Sequence, residues 1–136
     1  MKATELRLGN IVKSLNQKVP FCFIDQIKEG RIRGVSGDDE LHALSTWNDG
    51  SIQLQPIPVT EEWLVKLGLT TAHYSDSKNP RYELPGYGYE LRLGDDGEHG
   101  VYFEGNCMTY IKFVHQLQNL VFALTGEELT IKEPAV

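Results

Sequence analysis

The residues of this sequence best suited to bind a metal ion lie in one stretch, Asp95-Asp96-Gly97-Glu98-His99. Carboxylates and an imidazole are ligands that protein-bound calcium and zinc accept. A calcium loop, however, needs ligands at alternate positions over about twelve residues with a closing glutamate, and this stretch lacks that spacing. An Asp-Gly pair between two strand-like segments is typical of a hairpin turn. We therefore predict a turn here, and no metal-binding residues.

Histidine and cysteine are the remaining candidates for catalysis. The four histidines fall in four different segments: His42, His73, His99 and His115. Cys107 could serve as a nucleophile with His115 as its base, but Cys22 and Cys107 lie far apart and match no metal-ligand spacing. Such cysteines are typical of reduced, buried thiols in a cytoplasmic protein. The sequence therefore predicts no catalytic residues, no cofactor and no enzymatic activity, and leaves an active site assembled by the fold as an alternative.

Tyrosines on neighbouring strands form a further candidate site: Tyr87, Tyr89, Tyr102 and Tyr110. Aromatic platforms that stack bases are flanked by lysine and arginine. Here the neighbours are mostly acidic: residues 57–136 hold six Lys/Arg and twelve Asp/Glu, whereas residues 1–56 hold seven of each, so the net charge of −6 belongs to the second part. This distribution disfavours nucleic-acid binding and favours either core packing of the tyrosines or a protein-binding patch.

A nucleic-acid-associated module remains an alternative for the N-terminal part of the chain. Its available cations are Lys13, Lys18, Lys28, Arg31 and Arg33. No run of eighteen apolar residues and no signal-peptide core is present, so the sequence predicts neither a membrane span nor secretion.

An amphipathic helix is predicted over about 113–125. At about 100° per residue, one arc of this helix collects the apolar side chains Phe113, Leu117, Leu120 and Leu124, with Val121 at its margin. Gly126 suits the left-handed position that ends many helices. The opposite arc carries three polar side chains and one aromatic ring, and we predict it as a surface that contacts a protein partner or a second copy: His115, Gln118, Asn119 and Phe122. An alternative is that Phe122 covers a loop of its own domain, and that His115 fixes the junction between strand and helix.

The elements that position these residues divide into two parts. Residues 1–56 hold four or five short strand patterns, with a break at Gly9-Asn10, and predict a small bent β-sheet or an SH3-like barrel. Residues 57–136 predict a helix over about 60–68, capped by Thr60, strands over about 81–113, the helix over about 113–125, and an edge strand at 129–131. The predicted fold class is α+β: the N-terminal β lobe packs on a C-terminal antiparallel meander with two helices, as one compact unit.

Three segments in order resemble an uncharacterised family of small proteins from gut-bacterial genomes and from phage or prophage-like elements. They are LRLGNIV at 6–12, QPIPVTEEWL at 55–64 and VHQLQNLVFALTGEEL at 114–129. The resemblance implies a short cytoplasmic protein, often encoded near mobile genes, and provides no site residues to transfer. With no convergent catalytic set, the sequence favours a non-enzymatic protein-binding or adaptor protein.

Overall fold

The computed structural model describes residues 6–14, 21–28, 31–35, 45–48, 54–71, 80–85 and 88–131. The chain divides into two units, Met1–Ile57 and Pro58–Val136. Each unit has its own antiparallel sheet, and the second also contains two helices. The chain is therefore an α+β protein, which confirms the predicted class.

The sheet of the first unit has five strands in the order β4-β3-β2-β1-β5. Their bounds are β1 (Ile11–Ser14), β2 (Cys22–Lys28), β3 (Arg31–Val35), β4 (Ser45–Asn48) and β5 (Leu54–Gln55). Because β4 and β5 lie at opposite edges and no ladder joins them in the described residues, the sheet is open there. In the described part of the chain no closed barrel is detected, and the strands form a small antiparallel sheet. Five buried side chains form its core: Leu6, Val12, Cys22, Ile24 and Leu54.

A turn at Gly9 and Asn10 precedes β1, as predicted. Gly9 has φ +89°, a left-handed conformation that glycine adopts without steric penalty. Its N–H donates to the carbonyl of Ile24 at 2.7 Å, and the side-chain oxygen of buried Asn10 accepts from the Arg7 N–H at 2.6 Å. These bonds satisfy the turn's backbone, so the strand begins at Ile11.

The second unit contains a four-stranded meander in the order β6-β7-β8-β9. Its elements are α1 (Glu61–Lys66), β6 (Arg81–Glu83), β7 (Tyr89–Arg92), β8 (His99–Phe103), β9 (Asn106–Ile111) and α2 (Val114–Thr125). The Thr60 hydroxyl accepts from the Trp63 N–H and caps α1, and Gly126 at φ +75° ends α2. Both caps were predicted from residue type alone.

The two faces of this sheet differ. Side chains at directly paired positions share a face. Tyr82, Leu91 and Val101 are paired in register and form a buried row, which Ile111, two residues from Thr109, the partner of Val101, extends on the same face. Together with the buried side chains of α1 and α2, this row forms the core of the unit. The other face carries Arg81, Arg92, Gly100 and Tyr110 in register across the four strands. We call this second face the open face.

The structure departs from the predicted elements at the C-terminal helix and just after it. Residues 127–131 form no strand; instead the carbonyl of buried Leu129 accepts from Gln118 Nε2 at 3.0 Å. The buried side of α2 consists of Val114, His115, Leu117, Gln118 and Val121. It is rotated from the predicted apolar arc by roughly 90°, taking about 100° per residue. Four residues of the sequence predictions, Lys18, His42, His73 and Tyr87, lie outside the described residues.

Candidate interaction site on the C-terminal sheet

The predicted helix surface separates into interior and exposed residues. His115 and Gln118 are each 1 % exposed, Asn119 is half-buried, and Phe122 is 40 % exposed. The four side chains therefore do not form one exposed surface in this structure, and His115 and Gln118 are not accessible to a partner. Polarity alone does not separate these residues, because two of the polar side chains lie in the interior of the unit.

Both buried polar residues of α2 have structural contacts. The ring of His115 stacks parallel on that of Phe113, with centroids 5.9 Å apart and an interplanar angle of 8°. Gln118 holds the segment after the helix through its bond to the Leu129 carbonyl. At the start of α2, the side-chain oxygen of Gln116 accepts from the N–H groups of Lys112 and Phe113 at 2.8 and 3.0 Å. The helix is thereby joined directly to the end of β9.

The Asp95–His99 stretch forms the predicted turn between β7 and β8. Asp96 Oδ1 accepts from the Glu98 N–H at 3.0 Å, and Gly97 has φ +83°. His99 is buried, and its Nδ1 accepts from the Gly94 N–H at 3.1 Å. Burial lowers the pKa of His99, against the opposing effects of a backbone hydrogen bond with Val59 and the charge of Asp96. His99 therefore holds the turn as a neutral acceptor.

A charged network occupies the open face. The carboxylate of Glu90 lies 2.8 Å from Arg92 Nε and 3.8 Å from Arg81 Nη1, so one acid serves two guanidinium groups. All three side chains are between one fifth and one third exposed. The short contact to Arg92 is a charge-assisted hydrogen bond, which fixes this guanidinium more firmly than the longer contact fixes Arg81.

The guanidinium of Arg92 also stacks on an aromatic ring. Its Cζ lies 3.9 Å from the ring centroid of Tyr102, the geometry of a cation–π contact. The ring lies back across Gly100, where a Cβ would approach the Tyr102 ring to 2.6 Å. The absence of a side chain at Gly100 thus lets Tyr102 lie over β8, and Tyr102 in turn brings the Arg92 guanidinium over that strand.

A pocket of about 340 Å³ opens beside this stack. Its walls combine two arginines, two tyrosines, one acid and the β7–β8 turn: Arg81, Arg92, Leu93, Gly94, Glu98, Gly100, Tyr102 and Tyr110. Glu98 pairs with Lys112 across 3.3 Å. Such a pocket offers hydrogen-bond donors and aromatic surface to a ligand.

The outer edge of β9 borders the pocket and is exposed along residues 106–110, although just beyond the strand Pro58 forms an isolated bridge with Phe113. Residues 106–110 are all exposed, with Met108 at 62 % and Tyr110 at 61 %. Val59 N–H donates to the Lys112 carbonyl at 2.9 Å on the outer side of this strand. Since alternate residues direct their backbone groups to the same side of a strand, the N–H and C=O of Tyr110 face the open edge as well.

The opposite edge of the sheet is protected. β6 has only three residues, two of them charged, and Thr71 forms an isolated bridge with Tyr82 while the Glu83 N–H donates to the Thr70 carbonyl. Short length, charge and covering chain are the usual means of blocking edge strands. β9 has six residues without a charge or a proline, although a register shift between Val101 and Tyr102 introduces a bulge. The sequence signal that could have identified this edge is the uncharged run 106–111.

The two cysteines differ in environment, and both are free thiols. Cys22 is buried in the first unit, and burial raises the pKa of its thiol; the prediction of a buried thiol is confirmed there. Cys107 on β9 is exposed, so the same prediction is wrong for it. Among the N-terminal cations, Lys13 is half-buried on β1, and the backbones of Lys28 and Arg31 are opposite each other in the β2–β3 ladder.

No family model, no curated protein and no solved structure matches this chain. Within the described residues, no cluster of three or more histidine, cysteine, aspartate or glutamate side chains is arranged to hold a metal ion. The helices of that same part of the chain are all too short or too polar to cross a membrane.

Proposed function

We propose that this chain is a non-enzymatic protein-binding protein of the cytoplasm, encoded by a mobile element or phage, and that it binds an extended segment of another protein at the edge of β9. The observation that carries the proposal is the contrast between the two edges of the C-terminal sheet. β6 is short, charged and bridged, whereas β9 is longer, uncharged and exposed. The cytoplasmic location and the mobile-element origin rest on the sequence resemblance.

Strand addition supplies both affinity and selectivity. A partner strand beside β9 would hydrogen-bond with the outward N–H and C=O of Tyr110, and its side chains would lie on the two faces alternately. Met108 and Tyr110 provide large exposed side chains for it to cover. Burial of a side chain of this size contributes about 1.5–3 kcal/mol.

Charge favours a different protein over a second copy of this chain. The unit that contains β9, residues 58–136, holds six Lys/Arg and twelve Asp/Glu, a net charge of −6. Two such units brought edge to edge would repel each other. A partner segment of neutral or opposite charge avoids that repulsion.

The proposal is tested with a displayed library of random heptapeptides selected against the full chain. Peptides that bind should slow hydrogen exchange of the Tyr110 amide, because that N–H becomes a donor to the added strand. Tyr110→Pro removes the outward N–H without removing a bond to β8, and should weaken binding about tenfold or more. Tyr110→Thr is the matched control: it loses the ring but keeps the N–H, and should retain slowed exchange at this amide.

Two results would overturn the proposal. Selected peptides could protect α2 amides around Phe122 and ignore Tyr110→Pro, in which case the helix is the contact surface. A concentration-dependent dimer in sedimentation that Tyr110→Pro dissociates would instead make a second copy the occupant of the β9 edge.

A further inference from the structure

We propose that the pocket on the open face binds a carboxylate, presented by a glutamate side chain of the segment that pairs with β9. This inference rests on the proposed function and specifies the chemistry of its partner. The group that would receive the carboxylate is the guanidinium of Arg92, supported by Arg81 and bordered by Tyr110.

Arg92 is held in position before any ligand arrives. Its Nε donates to the Glu90 carboxylate at 2.8 Å, and its Cζ lies over the Tyr102 ring, 3.9 Å from the centroid. These contacts restrict its rotation, yet they use only one of its five N–H donors. In the described residues, the two terminal nitrogens make no hydrogen bond. A guanidinium presents such a pair in the geometry of a carboxylate, which accepts two parallel bonds.

The pocket places two guanidinium groups together in a unit that is otherwise acidic. Its walls hold two arginines and one acid, Glu98. Adding the neighbours Glu90, Lys112 and Asp96, whose carboxylate accepts from the Glu98 N–H and lies beside Gly94, brings the local sum to zero. Residues 58–136 together carry −6, so the pocket is a less acidic site than the rest of this unit. A carboxylate is therefore repelled less at this pocket than at the surface around it.

The geometry of the sheet connects the pocket with the β9 edge. Tyr110 pairs with Gly100, so the residue of an added strand opposite Tyr110 projects onto the same open face. Tyr102 brings the Arg92 guanidinium over β8, two strand spacings or roughly 10 Å from an added strand. A long acidic side chain crosses that gap more readily than a short one. The geometry therefore favours glutamate over aspartate.

The test uses capped heptapeptides of alternating threonine and valine that carry glutamate, aspartate, glutamine or lysine at the central position, with sodium acetate as a fifth probe. Binding to the full chain is followed by NMR at two reporters, the Arg92 Nε–H and the Tyr110 amide. We expect the glutamate peptide to shift both and to bind roughly tenfold more tightly than the glutamine peptide, as a charge-assisted pair requires. The aspartate peptide should be intermediate and the lysine peptide weakest.

Variants separate the pocket from general charge effects. Arg92→Gln should abolish the preference for glutamate over glutamine while leaving the Tyr110 amide response. Arg92→Lys should restore it only in part, because an ammonium cannot make the paired bonds. Lys66→Gln, in the last turn of α1 where Lys66 pairs with Glu62 and lies over the Trp63 ring, removes the same charge elsewhere and should leave the preference for glutamate unchanged.

The outcomes distinguish this inference from the function on which it rests. If all peptides shift Tyr110 equally and leave Arg92 unmoved, strand addition stands and the carboxylate site is wrong. If acetate alone saturates the Arg92 shift and no peptide affects Tyr110, the pocket binds free carboxylates and the peptide source is wrong. If neither reporter responds to any probe, both fail.

Discussion

Replacing Gln118 should destabilise the second unit, because this side chain contacts the interior of the unit and not a partner. The side chain is 1 % exposed and donates to the Leu129 carbonyl across 3.0 Å. Gln118→Ala removes this bond and leaves a buried acceptor, at a cost of about 1–3 kcal/mol. Loss of one buried methylene adds about 0.8 kcal/mol. The expected decrease in the free energy of unfolding is therefore about 2–4 kcal/mol.

The measurement is urea denaturation combined with hydrogen exchange of the α2 amides, which reports on the second unit alone. Gln118→Glu provides a second perturbation, because an ionised carboxylate cannot donate to the Leu129 carbonyl. Its burial there should raise the folded-state pKa of the introduced acid above the ordinary glutamate value of about 4.3. The variant is most stable when this acid is protonated, and it loses stability as pH rises and the acid ionises. The difference in free energy of unfolding between Gln118→Glu and the unchanged chain should therefore increase from acid to neutral pH.

Glu127→Ala, in the exposed segment just after α2, is the matched control and should change stability by less than about 0.5 kcal/mol. A Gln118→Ala variant with stability equal to that control would refute the structural role of Gln118 in α2. In that case Gln118 would again qualify as part of an exposed contact surface.

Three further predictions concern the second sheet and the two thiols. Because the folded-state pKa of His99 is lowered by burial, the unfolded chain binds more protons below its ordinary value of about 6.5. The free energy of unfolding should therefore fall as pH drops below about 6.5, by at most about 1.4 kcal/mol per pH unit for this one proton. In His99→Asn, the free energy of unfolding measured by urea denaturation should depend less on pH. Gly100→Ala should displace the Tyr102 ring and broaden or shift the Arg92 Nε–H resonance while far-UV circular dichroism stays unchanged. Iodoacetamide should alkylate Cys107 in the native protein, whereas Cys22 should react only after denaturation; equal rates would contradict the assigned burial.

The features that the sequence predicts well depend on neighbouring residues. Thr60 as a cap, Gly126 as a helix end, the turn before His99 and the turn at Gly9 each follow from one residue type and its immediate context. Local steric and hydrogen-bonding preferences decide these positions, and tertiary structure does not override them.

The features that the sequence does not predict depend on distant pairings. From the sequence, Gln118 is predicted to face solvent. In the fold, its side chain donates to the carbonyl of Leu129, eleven positions away. The Arg92–Tyr102 stack likewise requires the register that sets Arg92 opposite Gly100. Apolar periodicity predicts the buried side of a helix correctly only when no polar side chain has a partner inside the fold. In α2, the buried Gln118 has such a partner.

The direct junction of β9 with α2 has a mechanical consequence. The two N–H groups that Gln116 binds belong to Lys112 and Phe113, the last residues before the helix. No flexible linker separates strand from helix, so a restraint on β9 also damps fraying of the first turn of α2. Amide opening near Val114 should accordingly slow when the edge of β9 is occupied, which makes the helix a remote indicator of that occupancy.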